Sequence, residues 1–155
     1  MAMVDDQDWP RRVAILGVGL LGGSVALSIR RSRPKSTFVG LARSDAKGEH
    51  LRRLGVVDEV ARSVADACAR CDAVVVAAPV DRIAALVGEA AAATPDDCLI
   101  TDVGSTKAGI VESVAKSPAS RKKFVDAHPI AGSEKSGPQH AVETLFDGKL
   151  VVLTP

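Results

Sequence analysis

The sequence predicts a doubly wound α/β domain built on a mostly parallel sheet. Short apolar runs rich in β-branched residues alternate with longer helical stretches along the chain. Strands that alternate with helices of about ten residues or more come together in parallel through right-handed crossovers. A second observation agrees with this fold class: a glycine-rich turn joins the first apolar run directly to the first helical stretch. The expected architecture is of the Rossmann type.

The individual elements are justified by their own patterns. "RVAILGV" (12–18) is apolar throughout, as is typical of a strand buried on both faces. "LLGGSVALSIRRS" (20–32) has one apolar face, and the polar stretch 45–55 ends at a glycine. The remaining expected strands are 36–42, 71–80, 97–105, 123–128 and 149–155, and the remaining expected helices are 81–93 and 106–117.

Composition excludes several classes of function. The 155 residues are 46% hydrophobic and 25% charged, which fits one soluble domain with a core. The 20 basic and 19 acidic residues are spread along the chain and give a net charge of +1. This balance does not favour binding to nucleic acid or to an anionic membrane. The start, "MAMVDDQDWPRR", lacks the pattern of a secretory signal.

The three cysteines indicate a reducing compartment. An odd number of cysteines without an export signal is typical of a cytoplasmic protein. The spacing of Cys68 and Cys71 matches half of a redox or zinc motif, but a second pair and a suitably spaced histidine are missing. We therefore interpret "CARC" as two small side chains around a helix end, and we expect no metal site.

The glycine-rich turn "GVGLLG" predicts dinucleotide binding. It follows the first strand and opens the first helix, which is the context that this fingerprint requires. Gly17 permits the tight turn, Gly19 lets the backbone approach the pyrophosphate, and Gly22 lets helix and strand pack closely. The alternative is a glycine turn that serves packing alone. The expected cofactor-binding residues here are Gly17, Val18, Gly19, Leu20, Leu21 and Gly22.

The end of the second strand favours NADP over NAD. An NAD site usually carries Asp or Glu there to bind the ribose hydroxyls. This chain has Ala42 at that point, followed by Arg43 and Ser44, which can hold a 2′-phosphate. The alternative is that Arg43 is a surface charge and that Asp45 takes the role of the acid.

Other candidate residues lie in loops at the carboxyl ends of the strands, where ligands of such sheets bind. Ala78 and Pro79 can shape the wall beside the dinucleotide, although Pro79 can equally be a strand terminator. Ser105 precedes a helix, so a helix cap is an alternative role. His128 can accept a proton near neutral pH, or can simply cap its strand. Pro129 favours an extended backbone at His128.

Three motifs carry a family resemblance. "VAILGVGLLGGSVA", "TDVGSTK" and "HPIAGSEKSG" occur in this order, and the chain from about Arg12 to Pro155 resembles the N-terminal domain of the prephenate and arogenate dehydrogenase family of tyrosine biosynthesis. Members oxidatively decarboxylate a cyclohexadienyl substrate with NAD or NADP. Prephenate gives 4-hydroxyphenylpyruvate, and arogenate gives tyrosine.

The resemblance implies roles for particular residues. His128 matches the catalytic histidine that contacts the ring hydroxyl, and Ser105 matches the serine that orients the hydroxyl and the histidine. Ser133 and Glu134 fall in the substrate-side loop. Lys107 lies nearby without an assigned role. Many relatives carry an acid near Ala42, so the cofactor preference is not transferred from the family.

The resemblance also implies a domain organisation. Residues 1–11 are expected to form an N-terminal extension and residues 12–155 the dinucleotide-binding domain. The family continues into a helical domain that forms a homodimer and supplies cations for the substrate carboxylates. This chain is expected to be a truncated piece without a complete substrate pocket. Two other classes stay open: a non-enzymatic dinucleotide-sensing module, and another dehydrogenase of the same fold, such as an imine or hydroxy-acid reductase.

Overall fold

A seven-stranded sheet forms the centre of the computed structural model, which describes residues 9–106 and 108–154. The strands are β1 (Arg12–Leu16), β2 (Thr37–Leu41), β3 (Glu59–Ala61), β4 (Ala73–Val76), β5 (Leu99–Asp102), β6 (Phe124–Pro129) and β7 (Val151–Thr154). The helices are α1 (Leu20–Ser32), α2 (Asp45–Arg53), α3 (Val64–Cys68), α4 (Val80–Ala93), α5 (Ala108–Ala115) and α6 (Pro118–Lys123), with a 3-10 turn at Pro138–His140.

The strand order confirms the predicted fold class. The order is β3-β2-β1-β4-β5-β6-β7, and the pairs from β3 to β6 are parallel. The chain therefore leaves β1 in one direction and later returns to its other side at β4, which creates a topological switch point between these strands. β7 pairs antiparallel with β6, because residues 130–150 return to β6 without a crossover helix.

The sheet separates two apolar cores. Strands β1 and β4 are buried on both faces, which explains their continuous apolar runs. Val74, Val76 and Ile100 pack against α3, α4 and α5 on one face. Ala73 and Val75 belong to the second core, which includes residues of α1 and α2. Among the described residues, no helix is long and apolar enough to cross a membrane.

Three short elements were missing from the sequence-based prediction. β3 has three residues and is half exposed, so it lacks a clear alternation. α3 has five residues and begins after Ser63, whose hydroxyl accepts a hydrogen bond from the Asp66 N–H. α6 begins at Pro118 immediately after its cap Ser117. The predicted helix at 106–117 is shorter in the structure, where α5 spans Ala108–Ala115.

The cysteine segment packs as predicted around a helix end. Cys68 is the last residue of α3, and Cys71 follows in the turn that leads to β4; both are buried. The Cys71 thiol donates a hydrogen bond to the Ala67 carbonyl at 3.1 Å. Burial raises the pKa of Cys68 to about 12 and the pKa of Cys71 to about 11. Both groups are therefore protonated, unreactive core thiols at neutral pH.

The start of the described chain is hydrogen-bonded at the amino ends of the central strands β1 and β4. The backbone N–H groups of Arg11 and Arg12 both donate to the Asp72 carboxylate at 2.8 Å. The Arg33 guanidinium donates to the Trp9 carbonyl at 3.2 Å. The last residues of the expected N-terminal extension therefore contact the domain.

A close approach between two glycines sets the distance between α1 and β1. A Cβ built at Gly22 would lie 2.2 Å from the Gly17 carbonyl oxygen and 3.0 Å from an Ile15 methyl carbon. Because the obstructing atom is backbone, a side chain there would push the helix away from the strand. The absence of a side chain at Gly22 therefore lets the first turn of α1 pack closely against the end of β1.

We expect Gly22→Ala to lower the free energy of unfolding by about 1–3 kcal/mol through overpacking. The matched control is Gly88→Ala within α4, where an added Cβ meets no atom within 4 Å. This control should raise the free energy by about 0.5–1 kcal/mol, because alanine is the better helix former. Urea unfolding of both variants measures the difference, and equal stability of the two variants would contradict the packing argument.

Candidate functional site

A cleft of about 510 Å³ opens at the switch point between β1 and β4. Six of the predicted cofactor residues line this cleft: they are Gly17, Val18, Gly19, Arg43, Ala78 and Pro79. Leu20, Leu21 and Gly22 lie just behind it in the first turn of α1. The structure therefore brings the predicted turn and the predicted wall residues together in one cavity.

The backbone of the glycine turn is shaped for the close approach of a ligand. Gly17 has a φ of 102°, and an added Cβ would lie 2.5 Å from the Ala77 carbonyl oxygen. At Gly19 an added Cβ would meet no atom within 4 Å, so the backbone faces open space. The first N–H groups of α1 lie beside it, where the helix dipole favours an anion. These features fit a dinucleotide pyrophosphate.

The end of β2 presents a cation to the cleft. Ala42 is buried in the core beneath α1 and α2, whereas Arg43 lines the cleft. An acid at position 42 would therefore face the core, and the residue that faces the cleft is Arg43 itself. Asp45 forms an ion pair with Arg62 and is not among the lining residues. This pairing weakens the alternative in which Asp45 binds the ribose.

Ser44 has a local structural role. Its hydroxyl caps α2 by accepting a hydrogen bond from the Lys47 N–H at 3.3 Å, and it is not among the residues that line the cleft. In the predicted binding role, Ser44 could therefore contribute only a hydrogen bond that its hydroxyl donates to the ligand.

Besides the apolar residues Leu16, Leu41, Ala77 and Leu86, sequence reasoning missed four residues of the cleft. Lys47 and Arg82 supply two further cations, from the first turns of α2 and α4. Gly137 and Pro138 line the cleft from the segment after the "HPIAGSEKSG" histidine. Lys47 lies four residues after Arg43 at the start of a helix, and this spacing was a sequence signal for Lys47. The presence of Arg82, Gly137 and Pro138 in the cleft depends on contacts between elements that are distant in sequence.

His128 and Ser105 lie at the carboxyl edge of two neighbouring strands. His128 is half-buried in β6, and Ser105 is exposed three residues after β5. Ala127 and Pro129 line a cavity on the α1 side, so strand alternation directs His128 to the face that α4 covers. α5 begins at Ala108, and Lys107 lies outside the described residues, so the helix-cap alternative for Ser105 remains a prediction.

One carboxylate fixes the backbone next to both residues. Asp102 is 1% exposed, and its Oδ2 accepts a hydrogen bond from the Gly104 N–H at 2.9 Å. Its Oδ1 accepts one from the Ala127 N–H at 3.2 Å. Gly104 immediately precedes Ser105, and Ala127 immediately precedes His128. Sequence analysis did not single out Asp102, although an acid at the end of the apolar run "LIT" was an available signal.

The substrate-side residues expected from the motif are in an exposed loop. Ser133 and Glu134 follow β6 and are both exposed. The Ser133 hydroxyl accepts a hydrogen bond from the Lys135 N–H at 3.1 Å. Among the residues that the structure describes, no group of three histidine, cysteine, aspartate or glutamate side chains could hold a metal ion.

The chain between β6 and β7 (residues 130–150), here called the return segment, is fastened along α1. The Val142 N–H donates to the buried Ser24 hydroxyl at 3.0 Å. A Cβ built at Gly23 would lie 2.8 Å from the Ala141 Cβ. Near the other end of the helix, Arg31 makes a bidentate ion pair with Asp147. The segment that carries Ser133 and Glu134 is thereby attached to the helix that follows the glycine turn.

A second cavity of about 420 Å³ lies beside α1, on the face of the sheet opposite to the one that α4 covers. Its walls are mainly apolar, with Val75, Leu99 and Val103 from the sheet side and Ile29 from the helix. None of the described residues that the sequence predicted as site residues lines it. The candidate site is therefore the glycine-lined cleft and the adjoining strand edge.

Comparison with known proteins shows the family to which the chain belongs. The family model of the prephenate dehydrogenase nucleotide-binding domain matches residues 25–155. The chain belongs to this family. The match begins inside α1, after the glycine turn, but individual relatives extend it. Prephenate dehydrogenase of Bacillus subtilis is 38% identical over 144 residues, which are 92% of this chain and 39% of that protein.

Solved structures of the family agree with the fold. Aquifex aeolicus prephenate dehydrogenase, in complex with hydroxyphenyl propionate and NAD+, is 34% identical with a TM-score of 0.83. The match covers 94% of this chain and 50% of that one. Synechocystis arogenate dehydrogenase is 27% identical with a TM-score of 0.79, covering 93% and 50%. The chain thus spans about half the length of these relatives.

In this family member, Asp102→Asn should lower the free energy of unfolding by about 1–3 kcal/mol. An asparagine offers one acceptor oxygen, so one of the two buried N–H groups would face a donor. Asp97→Asn, at an exposed turn position, is the control and should change stability by less than about 0.5 kcal/mol. Thermal unfolding compares the two, and amide exchange at Gly104 and Ala127 should accelerate in Asp102→Asn alone. Unchanged exchange at both amides would exclude the bridging role.

Proposed function

We propose that this chain is the cofactor-binding and catalytic-histidine half of an NAD(P)-dependent dehydrogenase. The enzyme oxidatively decarboxylates prephenate to 4-hydroxyphenylpyruvate, or arogenate to tyrosine. The observation that carries the proposal is the Asp102 carboxylate, which binds the backbone beside both Ser105 and His128 at the strand edge next to the glycine cleft. A shared support for two polar side chains suits a site in which both act on one substrate hydroxyl.

The proposed mechanism assigns His128 the role of general base. A bound nicotinamide dinucleotide supplies the acceptor for the hydride that leaves the hydroxyl-bearing carbon. The neutral His128 imidazole accepts the hydroxyl proton, and Ser105 orients the hydroxyl and the imidazole. Loss of carbon dioxide from the ring then gives the aromatic product. The β-ladder pairing of His128 with Val152 and the following Pro129 support a fixed direction for the imidazole.

We propose that NADP is the preferred cofactor. Gly17, Val18 and Gly19 would hold the pyrophosphate, with Leu20, Leu21 and Gly22 supporting the turn and Ala78 and Pro79 forming the wall. Arg43 lines the cleft at the ribose end, and its guanidinium can pair with a 2′-phosphate. The engagement of Asp45 by Arg62 supports this preference, because it leaves the ribose end without its expected acid.

The remaining assignments complete the proposal for the whole protein. Ser133 and Glu134 would contact the substrate from the exposed loop. Residues 12–155 would form the cofactor domain after an extension at 1–11. A helical domain would follow, supplying the substrate cations and the homodimer contact. The free, buried cysteines support a cytoplasmic location.

His128→Asn should lower the rate of turnover by about a hundredfold or more, while dinucleotide affinity stays unchanged. The measurement is a single-turnover trace of reduced-cofactor absorbance, with the chain in excess and saturated with NADP or NAD, on adding prephenate or arogenate. If the isolated chain gives a flat trace, the same trace on the protein extended to the length of its relatives supplies the wild-type rate. His140→Asn, at an exposed position in the 3-10 turn, is the matched control and should keep that rate.

Two results would contradict the proposal. Turnover of prephenate or arogenate that survives in His128→Asn would remove His128 from the role of general base and would favour the site of another dehydrogenase of the same fold. An extended protein that binds the dinucleotide but acts on neither substrate would indicate a sensing module.

Arg43→Ala should lower the ratio of NADP affinity to NAD affinity by about tenfold, because one charge-assisted contact to the 2′-phosphate is lost. Fluorescence titration with each cofactor measures the ratio. Arg53→Ala is the control, since Arg53 is exposed at the far end of α2 and does not line the cleft. An unchanged ratio in Arg43→Ala would remove Arg43 from cofactor selection.

A further inference from the structure

Three cationic residues, Arg43, Lys47 and Arg82, line the cleft. Arg43 follows β2, and Lys47 belongs to the first turn of α2, so both come from one wall. Arg82 comes from the first turn of α4 on the opposite wall. Of the described residues that line the cleft, none is acidic. The three side chains therefore give this cavity a strongly positive potential.

Nearby carboxylates do not neutralise these cations. Asp45 pairs with Arg62, and Glu49 lies 3.7 Å from the Arg52 guanidinium. Asp81 is exposed on α4 and is not among the lining residues. Within residues 9–106 and 108–154, the ion pairs do not include Arg43, Lys47 or Arg82. All three charges are thus available to an anion entering the cleft.

The apolar part of the cleft indicates what that anion is attached to. Leu41, Ala78 and Leu86 line the same cavity as the three cations. A flat apolar group can pack there, while a phosphate on its sugar reaches the cations. The combination is suited to an adenosine carrying a phosphomonoester, which is a dianion near neutral pH.

We infer that Lys47 and Arg82 complete, from opposite walls, a 2′-phosphate subsite that begins with Arg43. This inference rests on the proposed function, since it assigns the adenosine end of that cofactor. Arg82 binds the phosphate across the cleft and closes the subsite, whereas Lys47 adds a point charge beside the Arg43 guanidinium. Discrimination between NADP and NAD is therefore shared by three side chains, from the loop after β2, from α2 and from α4.

The test isolates the phosphate by titrating the chain with 2′,5′-ADP and with 5′-AMP, which differ in the 2′-phosphate. Lys47→Met and Arg82→Met should each raise the Kd for 2′,5′-ADP by about tenfold and leave the Kd for 5′-AMP within about twofold. Both substitutions keep an unbranched, helix-compatible side chain, and circular dichroism checks that each variant is folded. Arg53→Met, on α2 but outside the cleft, is the control and should change neither Kd.

Each alternative result has its own meaning. Wild-type affinity for 2′,5′-ADP in both variants would overturn the inference. An equal loss of affinity for both nucleotides would also overturn it, because the side chains would then bind a part of the ligand that the two share. Binding needs no turnover, so a protein that binds as expected but does not oxidise prephenate or arogenate would refute the proposed function alone. A wild-type chain that binds neither nucleotide would refute both.

Discussion

The candidate site depends on one buried carboxylate at the end of β5. Asp102 is 1% exposed, and the oxygens of a buried carboxylate are normally satisfied by hydrogen-bond donors. The N–H groups of Gly104 and Ala127 meet this requirement, and they belong to two different strand ends. These two hydrogen bonds fix the loop after β5 relative to the end of β6. Loops are otherwise the parts of an α/β domain whose positions vary most.

Much of the fold follows from the sequence, because the elements around the switch point are long and strongly patterned. α1 has the predicted bounds of 20–32, and β1, β2, β4 and β5 lie within the predicted strands. The elements that escaped prediction are β3, α3 and α6, which have three to six residues each. Pieces of this length do not complete a hydrophobic period, and they form because the neighbouring core is already in place.

The candidate site likewise contains residues that the sequence indicated and residues that only the structure showed. The glycine turn and His128 were singled out because each belongs to a contiguous motif whose context is readable along the chain. Arg82 escaped because it joins the cleft through the packing of α4 beside β1. The burial of Ala42 also had to be seen in the structure, since one step of strand alternation decides whether a residue faces the cleft or the core. Sequence patterns therefore located the strand ends, while packing decided which side chains share a cavity.

The contact between Gly23 and Ala141 has an evolutionary consequence. No space remains for a side chain at position 23 while position 141 carries even a methyl group. A mutation at either position would therefore be accepted only in sequences where the other already permits it. The helix α1, which follows the glycine turn, and the return segment consequently cannot drift independently. Homologues should exchange these two segments as a matched pair, and chimaeras that cross between them should fail more often than chimaeras that keep them together.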